Sequence, residues 1–324
     1  MKISPEKLSA EAEATGFRPD VLEKVAHLVG LLNAMQGHPF LKGKLVLKGG
    51  TALNLFVFDV PRLSVDIDLN YVGAEDRDGM LAERPKVEQA VQAVFAREGF
   101  TVRRMPEEHA GGKWSLRYES ALGQSGNLEV DINFMFRLPL WPVTTCDSHP
   151  IGSWRAIGIP VLDHHELAAG KLAALLARRQ ARDLFDSHRI LRMDNLDFQR
   201  LRIGFVVYGA MNRKDWRTVS ADDVDFDAMD LARQLVPTLR VNAAEVQAEP
   251  AGYGERLVRE CREVLSAVLP FTDSERTFLD LLLDRGMIDP TLLTADESLQ
   301  RRIQCQPLLE WKALNVRQHK LRGE

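Results

Sequence analysis

Hydrophobic and polar positions in the N-terminal half follow helical and strand periods in turn. Residues 19–35 carry apolar side chains at helical spacing, which predicts a core-facing helix. Residues 44–50 predict a short strand that ends in a glycine turn, and Thr51 is placed to cap a helix that follows it. Residues 83–98 predict a further amphipathic helix.

Strict alternation marks three predicted strands. The segment R-L-S-V-D-I-D-L-N-Y-V, residues 62–72, places apolar residues on one face and Ser64, Asp66, Asp68 and Asn70 on the other. Residues 113–121 and 127–136 predict a hairpin around a polar, glycine-containing turn. The polar face of the second hairpin strand carries Glu129, Asp131 and Asn133.

After about residue 160 the patterns are helical only. Residues 165–191 predict the longest helix, and Thr272 with Glu275 forms a capping-box signal at the start of another. We therefore predict an α+β domain over residues 1–160 and an all-helical domain over residues 161–324.

Composition narrows the class of protein. The chain has 324 residues, 45% hydrophobic and 27% charged, as expected for globular domains. Its net charge of −4 excludes a uniformly basic surface, so any nucleic acid would need a local basic patch. The three widely spaced cysteines argue against a disulfide framework or a zinc knuckle. Without a signal peptide or a membrane-span pattern, we expect a soluble, cytoplasmic protein and no membrane partner.

The polar face of the predicted 62–72 strand carries candidate metal ligands. Asp66 and Asp68 are two residues apart, so their carboxylates project from one side with Cβ atoms roughly 6 to 7 Å apart. Two such carboxylates repel unless a cation lies between them, and Mg²⁺ takes oxygen ligands while keeping waters for a phosphate. Asp131 supplies a third carboxylate, so two metals could be held for displacement at phosphorus.

Gly49 and Gly50 offer the complementary part of such a site. Free N–H groups at a helix start bind phosphate, and glycine lets the anion approach the backbone closely. Each of these motifs alone is more often structural than functional. Their combination with Asp66, Asp68 and Asp131 favours a metal–phosphate site.

Four of the cations on the predicted helix over residues 165–191 could share one face. If that helix is continuous, Lys171, Arg178, Arg182 and Arg189 fall within roughly 20° of one stripe. Such a stripe would suit a triphosphate or an RNA backbone, although a charged stripe is more often only solvated. Asp183 falls nearer the apolar face, where it could pair with the arginines.

Four blocks of the sequence together resemble a known family. The blocks K-G-G-T-A-L, R-L-S-V-D-I-D-L, L-E-V-D-I-N and K-L-A-A-L-L-A-R-R-Q-A-R-D-L-F-D are similar to those of the AbiEii/AbiGii abortive-infection nucleotidyltransferase toxins. That family belongs to the DNA polymerase beta-like superfamily. The resemblance covers about residues 15–210 and implies a minimal polymerase-beta-like mixed sheet with flanking helices, followed by a helical domain. It also implies Mg²⁺ and a nucleoside triphosphate substrate.

The resemblance assigns roles to residues of the first three blocks. Gly49 and Gly50 match the phosphate-contacting turn, and Asp66 and Asp68 match the metal-binding pair. Asp131 matches the third acid, which would bind metal and accept the proton of the attacking hydroxyl.

Further roles follow from the same resemblance. Ser64 matches a polar active-site position, and Thr51 lies beside the glycine turn that would bind the nucleotide. Lys171, with Asp183 and Asp186, matches the fourth block, and Lys171 would hold the triphosphate.

The family implies the toxin of a type IV toxin–antitoxin pair, with a cognate antitoxin as a possible partner. Some members add nucleotides to tRNA 3′ ends and stop translation, so RNA, and tRNA in particular, is the expected acceptor. Besides the predicted stripe, the candidate RNA-binding cations are Arg301, Arg302, Lys312, Arg317 and Lys320.

Two other hypotheses remain. One keeps the enzyme but changes the acceptor to a protein side chain or a small molecule such as an antibiotic. The other is a non-catalytic, nucleotide-binding partner protein, which the intact set of acids disfavours.

Overall fold

The computed structural model describes residues 2–105, 111–243, 246 and 249–323. The chain forms two compact units. Unit 1 comprises Met1–Arg137, Val143–Leu162 and Leu235–Ala248. Unit 2 comprises Leu138–Pro142, Asp163–Gln234 and Glu249–Glu324.

In the residues that the structure describes, the following helices and strands belong to unit 1. The helices are α1 (Pro5–Thr15), α2 (Pro19–Gln36), α3 (Gly49–Ala52), which continues as a π-helical turn over Leu53–Val57, and α4 (Arg77–Arg97). The strands are β1 (Leu45–Lys48), β2 (Asp66–Tyr71), β3 (Thr101–Arg104), β4 (Gly111–Glu119), β5 (Ser125–Asn133), β6 (Thr144–Cys146) and β7 (Ile159–Val161). A 3₁₀ turn spans Val236–Thr238.

One mixed sheet organises unit 1, with strand order β3-β4-β5-β2-β1-β7-β6. The pairs β1–β2 and β4–β5 are antiparallel, whereas β2 and β5 are parallel. Alternation sends Ile67 and Leu69 of β2 and Val130 and Ile132 of β5 into the core. Helices α2 and α4 contact strands of this sheet, α2 at β5 and α4 at β3. The opposite face of β2 and β5 is left for polar side chains.

Several predicted helices and strands of unit 1 agree with the structure. The helices over 19–35 and 83–98 and the hairpin are confirmed, as is a strand through Asp66 and Asp68. The strand begins at Asp66 instead of Arg62. The prediction that Thr51 caps a helix is wrong, because α3 already begins at Gly49.

Unit 2 is helical in the part of the chain that the structure describes. Its helices are α5 (His164–Arg178), α6 (Ala181–Ile190), α7 (Phe198–Ala210), α8 (Ala228–Asp230), α9 (Pro250–Leu265), α10 (Asp273–Arg285), α11 (Glu297–Gln304) and α12 (Pro307–Gly323). Short helical turns lie at Trp216–Thr218, Ala221–Asp223, Leu231–Leu235 and Pro290–Leu292. The capping box is confirmed, since Thr272 accepts from the Glu275 N–H and Glu275 accepts from the Thr272 N–H. None of the helices described in either unit combines the length and apolar character needed to cross a bilayer.

The predicted single helix over residues 165–191 is wrong. Arg179 adopts a left-handed conformation with φ of 51° and separates α5 from α6. In one continuous helix, Lys171 and Asp183 would lie about 18 Å apart along the axis. The Lys171 ammonium is instead 2.9 Å from the Asp183 carboxylate. The break at Arg179 lets the two helices fold back on each other, and the predicted cationic stripe is not formed.

A buried carboxyl group anchors residues 138–142 within unit 2. Glu166 of α5 accepts hydrogen bonds from the Leu140 N–H at 2.9 Å and from the Tyr208 hydroxyl at 2.8 Å. Burial raises the pKa of Glu166 to about 7, and these hydrogen bonds only partly oppose that rise. The protonated carboxyl is therefore the form that the fold favours.

We predict that Glu166 makes the stability of the chain fall as pH rises. A carboxyl whose pKa lies above its ordinary value of 4.5 stabilises the fold fully below pH 4.5, and that contribution is lost as pH rises towards 7. Glu166→Gln mimics the protonated form at every pH. The free energy of unfolding of the wild type, relative to this variant, should drop by about 3 kcal/mol between pH 4.5 and pH 8.

Urea unfolding of both proteins across this range measures the difference. Glu310→Gln, at an exposed position of α12, is the control and should track the wild type at every pH. A difference between wild type and Glu166→Gln that stays constant with pH would contradict the assignment.

Candidate active site

Four charged side chains form a row across the polar face of the sheet. Lys48 of β1 is in register with Asp68 of β2, Asp68 with Asp131 of β5, and Asp131 with Lys113 of β4. Register partners on neighbouring strands lie about 5 Å apart and project from the same face. Two carboxylates are thus nearest neighbours, with a lysine on each side.

Asp66 lies one step away on the same face, in register with Glu129. All three predicted acids, Asp66, Asp68 and Asp131, are half-buried, so none of them points into the apolar core. The Asp66 backbone carbonyl accepts a hydrogen bond from the Thr51 hydroxyl at 2.5 Å. This bond ties α3 to the start of β2.

The central carboxylates lack protein partners. Among the residues that the structure describes, no donor forms a hydrogen bond or ion pair with the side chain of Asp68 or Asp131. Lys113 instead pairs with Glu129 at 3.0 Å. Adjacent carboxylates without donors are costly to keep charged, so the arrangement calls for a cation from outside the chain.

Burial and neighbouring charges shift the pKa values of Asp131, Lys48 and Lys113. Burial raises the pKa of Asp131, Asp68 raises it further, and Lys48 and Lys113 oppose the rise. Burial lowers the pKa of Lys48, against the attraction of Asp68 and Asp131. The hydrogen bond to Glu129 raises the pKa of Lys113. Lys48 therefore feels the central pair most directly.

The glycine turn meets the acidic row at Asp68. Gly49 has φ of 72°, and a Cβ built on it would overlap the Asp68 carboxylate. Only glycine allows both this backbone conformation and this approach. Ser64, which precedes β2, is buried, as is Thr51. The predicted phosphate-binding turn and the predicted metal-binding pair are therefore in contact within unit 1.

The residues of this site fit a divalent metal of the magnesium type. They present hard carboxylate oxygens, two of them on directly adjacent side chains that no protein donor satisfies in the described part of the chain. Mg²⁺ is bound in proteins by one or two carboxylates together with waters and substrate phosphates. Asp66, Asp68 and Asp131 are the residues that would hold it.

Lys171 belongs to a buried charge cluster in unit 2. Its ammonium lies 2.9 Å from Asp183 and 3.1 Å from Asp186, and Arg178 pairs with Asp183 at 2.6 Å. Burial by itself would raise the pKa of Asp183, but Lys171 and Arg178 outweigh it and hold that pKa at about 2. Asp183 and Asp186 thus fix the position of the Lys171 ammonium.

Most of the C-terminal cations proposed for RNA binding serve the fold. Lys312 donates to the carbonyls of Ala210 and Asn212 at 2.8 and 2.6 Å, at the C-terminal end of α7. Arg302 donates to the Pro139 carbonyl and Arg317 to the Gly286 carbonyl. Arg301 is exposed, and the Lys320 side chain lies outside the described residues.

A second cluster of potential metal ligands lies at the start of α5. Ligand atoms of Asp163, His164 and His165 all lie within 4.8 Å of one another. However, Asp163 accepts from His165 Nδ1 at 2.9 Å, and His165 Nε2 accepts from the Asp197 N–H at 3.0 Å. Both ring nitrogens of His165 are used, so this cluster is explained by helix capping and packing.

Comparison with known proteins assigns the chain to a family. A model of the AbiEii nucleotidyl transferase toxin of type IV toxin–antitoxin systems matches residues 31–265. The chain belongs to the AbiEii family. It is therefore a nucleotidyltransferase toxin of a type IV system, as its motifs predicted. No curated protein matches the chain.

The fold agrees with this assignment. MenT4, a nucleotidyltransferase toxin from Mycobacterium tuberculosis, superposes with a TM-score of 0.57 at 18% sequence identity, over 95% of this chain and 99% of that one. The predicted mixed sheet with flanking helices and following helices is confirmed.

Sequence reasoning missed the two lysines of the row. Lys48 directly precedes the glycine pair, and Lys113 opens a predicted strand. Their place beside the acids depends on strand pairing, which joins β1 to β2 and β4 to β5. The alternation at each strand was visible, but the register between strands was not.

We predict that Gly49→Ala destabilises the protein more than a matched glycine substitution does. Gly43 has a similar φ of 76°, but a Cβ there would meet no atom within 4 Å. Gly43→Ala should cost about 1 kcal/mol of unfolding free energy, the penalty of the left-handed conformation. Gly49→Ala should cost at least about 1 kcal/mol more, because its methyl group must displace the Asp68 carboxylate.

Urea unfolding of the two variants tests this comparison. Equal losses in both would show that Asp68 does not press against the glycine turn.

Proposed function

We propose that this toxin transfers a nucleoside monophosphate from a nucleoside triphosphate to an RNA hydroxyl in a magnesium-dependent reaction, with the tRNA 3′ end as acceptor. The observation that carries the proposal is the register pair of Asp68 and Asp131, two adjacent carboxylates without protein partners in the described residues. The acceptor rests on the resemblance, in which some members modify tRNA 3′ ends.

Asp66, Asp68 and Asp131 would hold the metal. When bound, Mg²⁺ neutralises the triphosphate and stabilises charge that develops during in-line displacement. The backbone N–H groups around Gly49 and Gly50 would bind phosphate oxygens at the start of α3. Thr51 and Ser64 complete the proposed nucleotide-binding residues of unit 1.

The proposed reaction forms one bond and breaks another. The acceptor hydroxyl oxygen attacks the α-phosphorus, and the bond between that phosphorus and the bridging oxygen to the β-phosphate breaks. Asp131 accepts the hydroxyl proton, and pyrophosphate leaves. Asp68 lies between Asp131 and the glycine turn, where it would hold the metal together with Asp131.

The triphosphate-binding role that the resemblance implies for Lys171 stays a prediction. Asp183 and Asp186 would be its positioning residues, since both hold its ammonium. Removing Lys171 would also leave buried carboxylates undercompensated, which is strongly destabilising. A Lys171 variant therefore mixes folding with function, and Asp68 offers the cleaner test.

The biological setting follows from the same proposal. A nucleoside triphosphate and tRNA meet in the cytoplasm, and tRNA modified at its 3′ end would stop translation. We propose a division of labour in which residues 1–160 carry the transferase chemistry and residues 161–324 form the helical domain. A cognate antitoxin is the expected protein partner.

We predict that Asp68→Asn abolishes transfer and leaves the fold intact. The amide keeps the size of the side chain but cannot share a metal with Asp131, so transfer should fall at least about a hundredfold. The free energy of unfolding should be unchanged or higher, because a repulsive charge is removed. Asp59→Asn, whose side chain is 93% exposed, is the matched control and should keep full activity.

Each α-³²P-labelled nucleoside triphosphate is incubated with Mg²⁺ and, separately, total RNA, total protein and aminoglycosides. Label should enter tRNA, and periodate-oxidised tRNA, which lacks the free 3′ hydroxyl, should stay unlabelled. Labelling by Asp68→Asn at the wild-type rate would refute the site. Labelling of the protein or antibiotic fraction alone would replace the RNA acceptor.

A further inference from the structure

Lys48 occupies a special place in the charged row. It is in register with Asp68 on the side away from Asp131, and it directly precedes the Gly49 turn. The lysine at the other end of the row, Lys113, already pairs with Glu129 at 3.0 Å. Among the residues that the structure describes, Lys48 is therefore the lysine of the row that forms no ion pair with a carboxylate.

The surroundings of Lys48 hold its ammonium near the acids without bonding it to them. Its Nζ lies 5.0 Å from the centroid of the Phe136 ring, a cation–π contact. The Asn133 side-chain oxygen accepts the backbone N–H of Phe136 at 3.1 Å, which ties the Phe136 backbone to the end of β5. Within the described part of the chain, Lys48 forms no ion pair with a carboxylate.

The positive charge of the Lys48 ammonium, which Asp68 and Asp131 favour against its burial, has opposite effects on two ligands. It repels a divalent cation that approaches Asp68 and Asp131, because like charges several ångströms apart in a half-buried site interact strongly. It attracts a triphosphate, which carries several negative charges. Once a triphosphate is present, the repulsion between Lys48 and the metal is offset.

We propose that Lys48 is a positioning residue that makes metal binding depend on nucleotide: the acids bind a free divalent cation weakly and the cation–nucleotide complex tightly. This inference rests on the proposed function. It adds that the acids take up the cation mainly together with the triphosphate. The coupling is reciprocal, so the metal strengthens nucleotide binding by the same factor.

The test compares Mn²⁺ affinity with and without nucleotide. Free Mn²⁺ is counted by electron paramagnetic resonance in the full chain, first alone and then with a non-hydrolysable analogue of each nucleoside triphosphate. Lys48→Met removes the charge and approximately keeps the length of the side chain. We expect it to bind Mn²⁺ alone about tenfold more tightly than the wild type and to gain less affinity when the analogue is added.

Three further variants make the result specific. Lys113→Met removes the lysine already paired with Glu129 and should change Mn²⁺ affinity by much less. Lys48→Arg keeps the charge and should behave as the wild type. Lys48→Gln replaces the Met variant if thermal unfolding shows that the latter does not fold.

The outcomes separate this inference from the proposed function. Asp68→Asn should lose Mn²⁺ binding both with and without nucleotide. If it does, but Lys48→Met and Lys48→Gln bind Mn²⁺ as the wild type does, Lys48 only packs on Phe136 and the inference is overturned. If Asp68→Asn keeps wild-type Mn²⁺ affinity, the metal site itself is refuted.

Discussion

Electrostatic repulsion between Asp68 and Asp131 is the constraint around which unit 1 is arranged. Parallel pairing of β2 with β5 puts the two carboxylates side by side, about 5 Å apart between strands. Proteins normally satisfy such groups with hydrogen-bond donors, yet these two have none in the described chain. Such a pair favours a site whose charge balance a bound ligand would complete.

The sheet remains stable despite the repulsion between Asp68 and Asp131, because its two faces have different roles. Ile67, Leu69, Val130 and Ile132 bury their side chains on the opposite face. That burial supplies stability at about 25 cal/mol per Å² of apolar surface, independently of what the polar face carries. Strict alternation separates the two roles, so the acids are held rigidly without being buried among apolar groups.

Much of this candidate site could be predicted from the sequence of individual strands and turns. Alternation placed Asp66, Asp68 and Asp131 on polar strand faces, and the glycine pair marked a turn, because each signal is local. The position of Lys48 was not readable, since it depends on how β1 pairs with β2. The helix break at Arg179 could not be predicted either, because the carboxylates that hold Lys171 lie twelve or more residues after Lys171 in the sequence. The helical period of the sequence continues through Arg179, although the helix ends there. Lys171 then pairs with residues of the next helix that are twelve or more positions further along the chain.

Lys171 and Lys48 each lie near two carboxylates, but within the described chain only Lys171 forms ion pairs with them. Lys171 contacts two carboxylates directly, and nearly all of this group is removed from water. Its charges are matched within the chain, so the cluster gains nothing from a free cation. Lys48 stands beside two carboxylates without bonding to either, on a half-buried face. In the Lys171 cluster the charges pair with one another and fix the positions of the side chains. The carboxylates of Asp68 and Asp131 have no such partners among the described residues, so a bound ligand can still stabilise them. We therefore expect metal and triphosphate at the row of Asp68 and Asp131.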